Sequence, residues 1–145
     1  MLSRTKFLTS IALAVSLAGC DLPRDPEDTT ATVRGGTLIV GVSTDDEPSD
    51  PKERAAIERL AERLDAEVEY RSDEIHRQVE ALKEGEIQML AGHIPETTPF
   101  ADQIGTTAPV SSMELGGKRV KTVFALRKGE NRFLVETEKA MGAGQ

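Results

Sequence analysis

From Thr37 to Val42 the chain reads Thr-Leu-Ile-Val-Gly-Val, an apolar run with no charged interruption. A strand covered on both faces of a parallel sheet needs such a run. The period then changes. Ala56, Ile57, Leu60, Ala61 and Leu64 recur every three or four residues and draw one apolar stripe along a helix. Asp50 as N-cap, Pro51 in the first turn and Glu53 at capping-box spacing mark its start, with Glu53 expected to reach back to the cap. Val68-Glu69-Tyr70 reads as a second strand. Ser72 is expected to cap a second helix, with Asp73 and Glu74 favouring its dipole, Ile75, Val79 and Leu82 inward and Gly85 as its stop. Ile87 to Ala91 gives a third strand. Strands alternating with helices imply right-handed crossovers and a parallel sheet of order 2-1-3.

Beyond that unit the periodicity lapses. Between Gly105 and Gly117 eight of thirteen residues are Gly, Ser, Thr or Pro, so the stretch reads as a loop. Val120 to Leu126 predicts a returning strand, and Gly129-Glu130-Asn131 opens a last helix with Phe133, Leu134 and Met141 inward. The predicted fold is therefore α/β, a single three-layer lobe over residues 37–145 with a mostly parallel sheet, order 2-1-3 plus the returning strand.

The amino end follows another logic. Arg4 and Lys6 precede an apolar run from Phe7 to Ala18, too short for the roughly 20 residues of a spanning helix and of signal-peptide length. Leu17-Ala18-Gly19-Cys20 closes it and resembles a bacterial lipobox. The resemblance implies removal of residues 1–19, acylation of Cys20, and membrane lipid as a partner. Asp21 resembles the signal that retains such lipoproteins at the inner membrane, which implies a cell-envelope protein facing the periplasm. Residues 21–36 hold two prolines, four acids, three threonines and a closing Gly-Gly, so 20–36 reads as an anchor and flexible tether.

Composition narrows the function. The 145 residues carry 18 Lys+Arg against 25 Asp+Glu, a net charge of −7. Without residues 1–19 the balance is 16 against 25, or −9. No basic face is available for nucleic acid. A single Cys excludes an internal disulfide framework and a Cys metal cluster. No nucleophile elbow, zinc-protease helix or phosphate loop occurs. The reading is a non-catalytic protein with neither cofactor nor metal.

Gly36-Thr37-Leu38-Ile39-Val40-Gly41-Val42 resembles the first strand of amino-acid-type periplasmic solute-binding proteins. Leu82 to Gly92 (LKEGEIQMLAG), Pro95 to Val110 (PETTPFADQIGTTAPV) and Lys128 to Leu134 (KGENRFL) resemble later lobe-one segments in family order. The resemblance implies lobe one of a binding protein of an ABC transporter, with an ABC permease as partner. Two lobes need ~200 residues at ~100 each, so the second lobe is missing, and Gly105–Gly117 stands where it would be inserted. The family's carboxylate-clamping Arg falls near Phe100, and no Arg lies between Arg77 and Arg119.

Open parallel sheets bind ligands beyond the carboxyl ends of their strands. That rule selects Ser43, Thr44, Asp45 and Asp46 after strand one, and His93 after strand three. Thr97 and Thr98 add hydroxyls and Phe100 an apolar wall. Together they would form a polar rim for a small polar or cationic solute. The same residues also suit plainer roles, the acids as solvated turn formers and His93 as a strand-end histidine. Two functions follow: a membrane-anchored binding or accessory lobe for small-solute transport or sensing, or a structural lipoprotein that no longer binds a ligand. In the second, the bared cleft face contacts a membrane partner or another copy.

Overall fold

The computed structural model describes residues 22–43 and 47–142. Its elements are α1 (Thr29–Val33), β1 (Thr37–Val42), α2 (Pro51–Leu64), β2 (Glu67–Ser72), α3 (Ile75–Glu84) and β3 (Met89–Pro95), followed by β4 (Gly105–Thr106), β5 (Ser111–Leu115), β6 (Lys118–Leu126) and α4 (Asn131–Gly142). The sheet order is β2-β1-β3-β6-β4, with β5 also paired to β6. β1 runs parallel to β2 and β3, while β3, β4 and β5 all run antiparallel to β6. β6 alone opposes the other strands, so the mostly parallel sheet with the 2-1-3 core and a returning strand is what the chain forms.

Three layers follow from which residues each strand turns to each side. Leu38, Val40, Met89, Ala91, Phe124 and Leu126 face α2 and α4, meeting Ile57, Leu60, Leu64 and Phe133. Leu90, Ile94, Val123 and Ala125 face α3, meeting Val79 and Leu82. Each Leu, Ile, Val, Met or Phe side chain so removed from water contributes about 1.5–3 kcal/mol. On the α3 side, buried Gln78 donates Nε2 to Val42 O (3.2 Å) and Arg71 O (2.7 Å), tying the carboxyl ends of β1 and β2.

Three expectations need correction. Residues 22–36 are not a spacer. Thr29, Thr30 and Val33 are buried, and α1 meets α4 in a reciprocal clasp. Glu130, directly before α4, accepts from Glu27 N and Thr29 N (both 3.0 Å). Asp25, ahead of α1, accepts from Thr30 N (2.9 Å), from the Thr30 hydroxyl, and from Phe133 N in the first turn of α4 (3.0 Å). Each carboxylate thus satisfies amides the other helix cannot pair itself, where the dipole favours negative charge. An acidic, apolar-poor segment is ordered by long-range charge. Cys20 lies outside the described residues.

Gly105–Gly117 is not a loop. It forms the edge of the sheet, first β4 and then β5, and returns into β6 through a two-residue turn at Gly116 (φ 57°) and Gly117 (φ 76°). Both positions need positive φ, which is why a Gly-Gly pair makes this type I′ turn. Ser72 ends β2, and Glu74 caps α3 by accepting from His76 N (3.0 Å).

Candidate functional site

At the carboxyl end of β1 and β3 the sheet breaks its register between Leu90 and Ile94. Gly92 (φ 93°) and His93 (φ 63°) both take the left-handed conformation there. Consecutive residues of this kind turn their N–H groups to one side and form a concavity suited to an anion. The chain fills it itself. Gly92 N donates to Glu53 Oε2 (2.8 Å) and His93 N donates to Glu53 Oε1 (3.1 Å).

Glu53 is fully buried in the first turn of α2 and does not reach back to the cap. Asp50 caps the helix alone, accepting from Lys52 N (2.7 Å) and Glu53 N (3.4 Å) through Oδ1. Its other oxygen accepts from Ser111 Oγ (2.6 Å), which ties the start of α2 to β5. Burial pushes the Glu53 carboxyl above the ordinary glutamate range, against the Gly92 and His93 amides and the nearby His93 ring, with the Asp50 charge adding to the rise. Burial works in the same direction on Asp50. There the hydrogen bonds from Ser111, Lys52 and Glu53 and the nearby His93 outweigh it, and hold Asp50 below its ordinary value.

The structure brings some of the expected residues together and separates others. Ser43 is half-buried in the bend after β1, and His93 is half-buried beside Glu53. Thr44, Asp45 and Asp46 lie outside the described residues. Thr97 is exposed on the turn after β3. Thr98 is buried, its Oγ1 accepting from Phe100 N (3.4 Å). Phe100 packs on the α3 side of the sheet and meets the His76 ring edge-on at 5.2 Å, so it does not wall a site formed by Glu53 and His93. Among the described residues no group of three His, Cys, Asp or Glu side chains is placed to hold a metal ion. No helix there is long and apolar enough to cross a membrane.

The residues missed at this end are Glu53, as the filler of the concavity, and the Asp50–Ser111 pair. A signal for Glu53 was present. Positions 53, 57, 60 and 64 share one helical stripe, so an acid stood on the buried face. A groove of about 840 Å³ lies at the opposite end of β1 beside Glu58, Glu62, Asp65 and Glu67. It is a shallow, solvated acidic surface and shares no residue with the bulge.

Several solved structures share this architecture. The arginine-bound form of domain 1 from TmArgBP superposes with a TM-score of 0.62 at 19% identity, over 74% of this chain and 93% of that one. An ancestral arginine-binding protein bound to arginine gives 0.60 at 14%, covering 77% and 92%. The ancestral amino acid-binding protein AncCDT-1, described as a precursor of cyclohexadienyl dehydratase, gives 0.66 at 13%, covering 79% and 92%. No protein-family model and no curated protein matches the chain. At these identities the likeness is one of fold. The chain has the fold of one lobe of a periplasmic amino-acid-binding protein.

Proposed function

We propose that this chain is a non-catalytic binding lobe for a small cationic solute of the amino-acid type. Lipid on Cys20 holds it at the membrane, facing the periplasm, where it serves a transport or sensing system with an ABC permease as partner. The observation that carries the reading is the likeness to a lone lobe. Domain 1 of TmArgBP is described, by itself, in its arginine-bound form, so one lobe of this architecture suffices as a binding unit. The concavity that would receive a ligand carboxylate is occupied by Glu53. Asp45, Asp46, Glu47 and Asp50 follow β1 in the sequence, and no Arg stands between Arg77 and Arg119. That balance suits an ammonium or guanidinium group and favours a solute of net positive charge over an anionic one.

Titration calorimetry of the chain carrying Cys20→Ser tests the binding claim with arginine, ornithine, agmatine and glutamate. Saturable heat is expected from the cations and none from glutamate. Absence of binding to every cation sinks the reading. For the anchor, radiolabelled palmitate should enter the membrane-bound protein and vanish in Cys20→Ser.

A further inference from the structure

The hairpin of β5 and β6 leaves the body of the sheet. β6 pairs with β3 only from Thr122 onward. Glu96 N donates to Lys121 O (3.0 Å) just beyond β3, and past that bond residues 112–115 and 118–120 pair with no strand but each other among the described residues. Period-two alternation gives this ribbon one apolar face, Met113, Leu115 and Val120, and one charged face, Glu114, Arg119 and Lys121. Leu115 is 54% exposed.

The outer side of β5 has no strand neighbour among the described residues. The two-residue turn makes Leu115–Lys118 a hydrogen-bonded pair, and alternation puts Met113–Val120 in the same class. The N–H and C=O groups of Ser112 and Glu114 then face outward. Natural edges are blunted with Pro, Lys or a bulge, and Ser111–Leu115 contains neither residue and keeps an unbroken register with β6.

We propose that a second copy of this chain pairs along that edge, β5 antiparallel to β5, about a two-fold axis at Met113. In this register Ser112 meets the partner's Glu114 and Glu114 meets the partner's Ser112. All outward backbone groups of both residues are satisfied, and no like charges stand opposite. Centring the pair on Glu114 sets two carboxylates face to face. Centring it on Ser112 runs the partner past Ser111, where β5 begins. On the apolar face, Val120 and Met113 continue into the partner's Met113 and the partner's Val120 as one row. Leu115 comes beside the partner's Ser111. In each copy Ser111 is bonded to Asp50 next to a groove of about 430 Å³ in which Pro51, Ala55, Val110 and Met141 give an apolar lining beside Lys52 and Arg59. The same register thus covers the exposed Leu115 and gives that groove an occupant. The contact is isologous and closes at two copies.

Cysteine scanning in the full chain carrying Cys20→Ser tests the axis. A non-hydrogen-bonded pair sets its Cα atoms about 4.5 Å apart, inside the disulfide range of about 4.4–6.8 Å. Met113→Cys should therefore give a covalent dimer on mild oxidation. Ser112→Cys and Glu114→Cys should each stay monomeric on a non-reducing gel, and their double variant should cross-link. No Met113→Cys dimer, equal cross-linking of all three single variants, or an adduct with a different protein overturns the assignment to a second copy. Sedimentation equilibrium supplies an independent arm. Ser112→Pro removes an outward N–H and should weaken association about tenfold or more, with the circular dichroism spectrum unchanged. Association that survives Ser112→Pro at full strength also overturns it.

Discussion

Two buried glutamates hold opposite ends of this molecule by the same bonds, with different consequences. Glu130 accepts two amides at the amino end of the sheet, and Glu53 accepts two at the carboxyl end. The amides of Glu130 belong to the approach to α1 and its first turn, so the helix dipole supports the charge and the end is sealed. The amides of Glu53 belong to two left-handed residues in a broken strand. The Glu53 carboxylate bridges the two amides of that concavity, which lies at the carboxyl end of β1 beside Ala91 and Ile94 of the sheet. One glutamate closes the fold, and the other shapes the opening.

Breaking the sealed end should cost most. Glu130→Ala leaves Glu27 N and Thr29 N without an acceptor and frees α1 from α4. Two bonds to a charged group, plus the desolvation of orphaned donors, come to about 3 kcal/mol. Urea unfolding should show that loss, and hydrogen exchange should show residues 22–36 losing protection before β1 does. If that segment keeps its protection, the clasp is not what orders it.

At the open end Glu53→Gln should cost about 2 kcal/mol near neutral pH, because the amide replaces one acceptor oxygen with a donor that faces Gly92 N or His93 N. Its pH dependence separates the two ends further. The folded Glu53 carboxyl lies above its ordinary value, so the native state holds a proton that the unfolded state has released. The stability this gives is present below the ordinary glutamate range and is lost as pH rises through the folded value. Subtracting Glu53→Gln from the natural chain cancels the other groups. The difference should grow in favour of the natural chain as pH falls from about 7 to about 4.5. A difference that shrinks on acidification would reverse the sign assigned to burial.

How far each end was legible in the sequence follows from the same contrast. Apolar periodicity located β1, α2, β2, α3, β6 and α4 and the 2-1-3 core, since those elements are made by local pattern and burial. The order of 22–36 was illegible because Asp25 and Glu130 act on residues roughly a hundred positions away. The β4–β5 edge was illegible because small and polar residues dominate 105–112 and the alternation at Met113 and Leu115 spans too few positions to mark a strand. The placement of Ser43 after β1 and of His93 in β3 beside it followed from topology alone. Glu53 was assigned to a cap because its spacing from Asp50 fits one, although its place on the apolar stripe argued for burial.

Ser111→Ala tests how the opening is braced. It removes the donor to Asp50 Oδ2 and leaves the helix cap in place. The half-exposed pair is worth about 1 kcal/mol. Asp50 lies below its ordinary value when folded, so its contribution is present above the normal aspartate range and is lost as pH falls through the folded value. The stability gap between Ser111→Ala and the natural chain should therefore narrow in acid, opposite to the trend at Glu53. A gap independent of pH would mean that Ser111 acts through packing alone.

The smallest effect should carry the opposite sign. His93 sits at φ 63° beside Gly92, a conformation that disfavours a side chain. His93→Gly keeps the N–H that Glu53 accepts and relieves the strain, so it should stabilise the fold by about 0.5 kcal/mol in urea unfolding. The amides held by Glu130 have no comparable gain to offer, because neither Glu27 nor Thr29 has a positive φ. A gain in stability with a loss of solute binding would assign the imidazole to the solute and explain a strained residue at the opening. A loss of stability instead would make His93 part of the support for Glu53, and the carboxyl end as closed in function as the amino end.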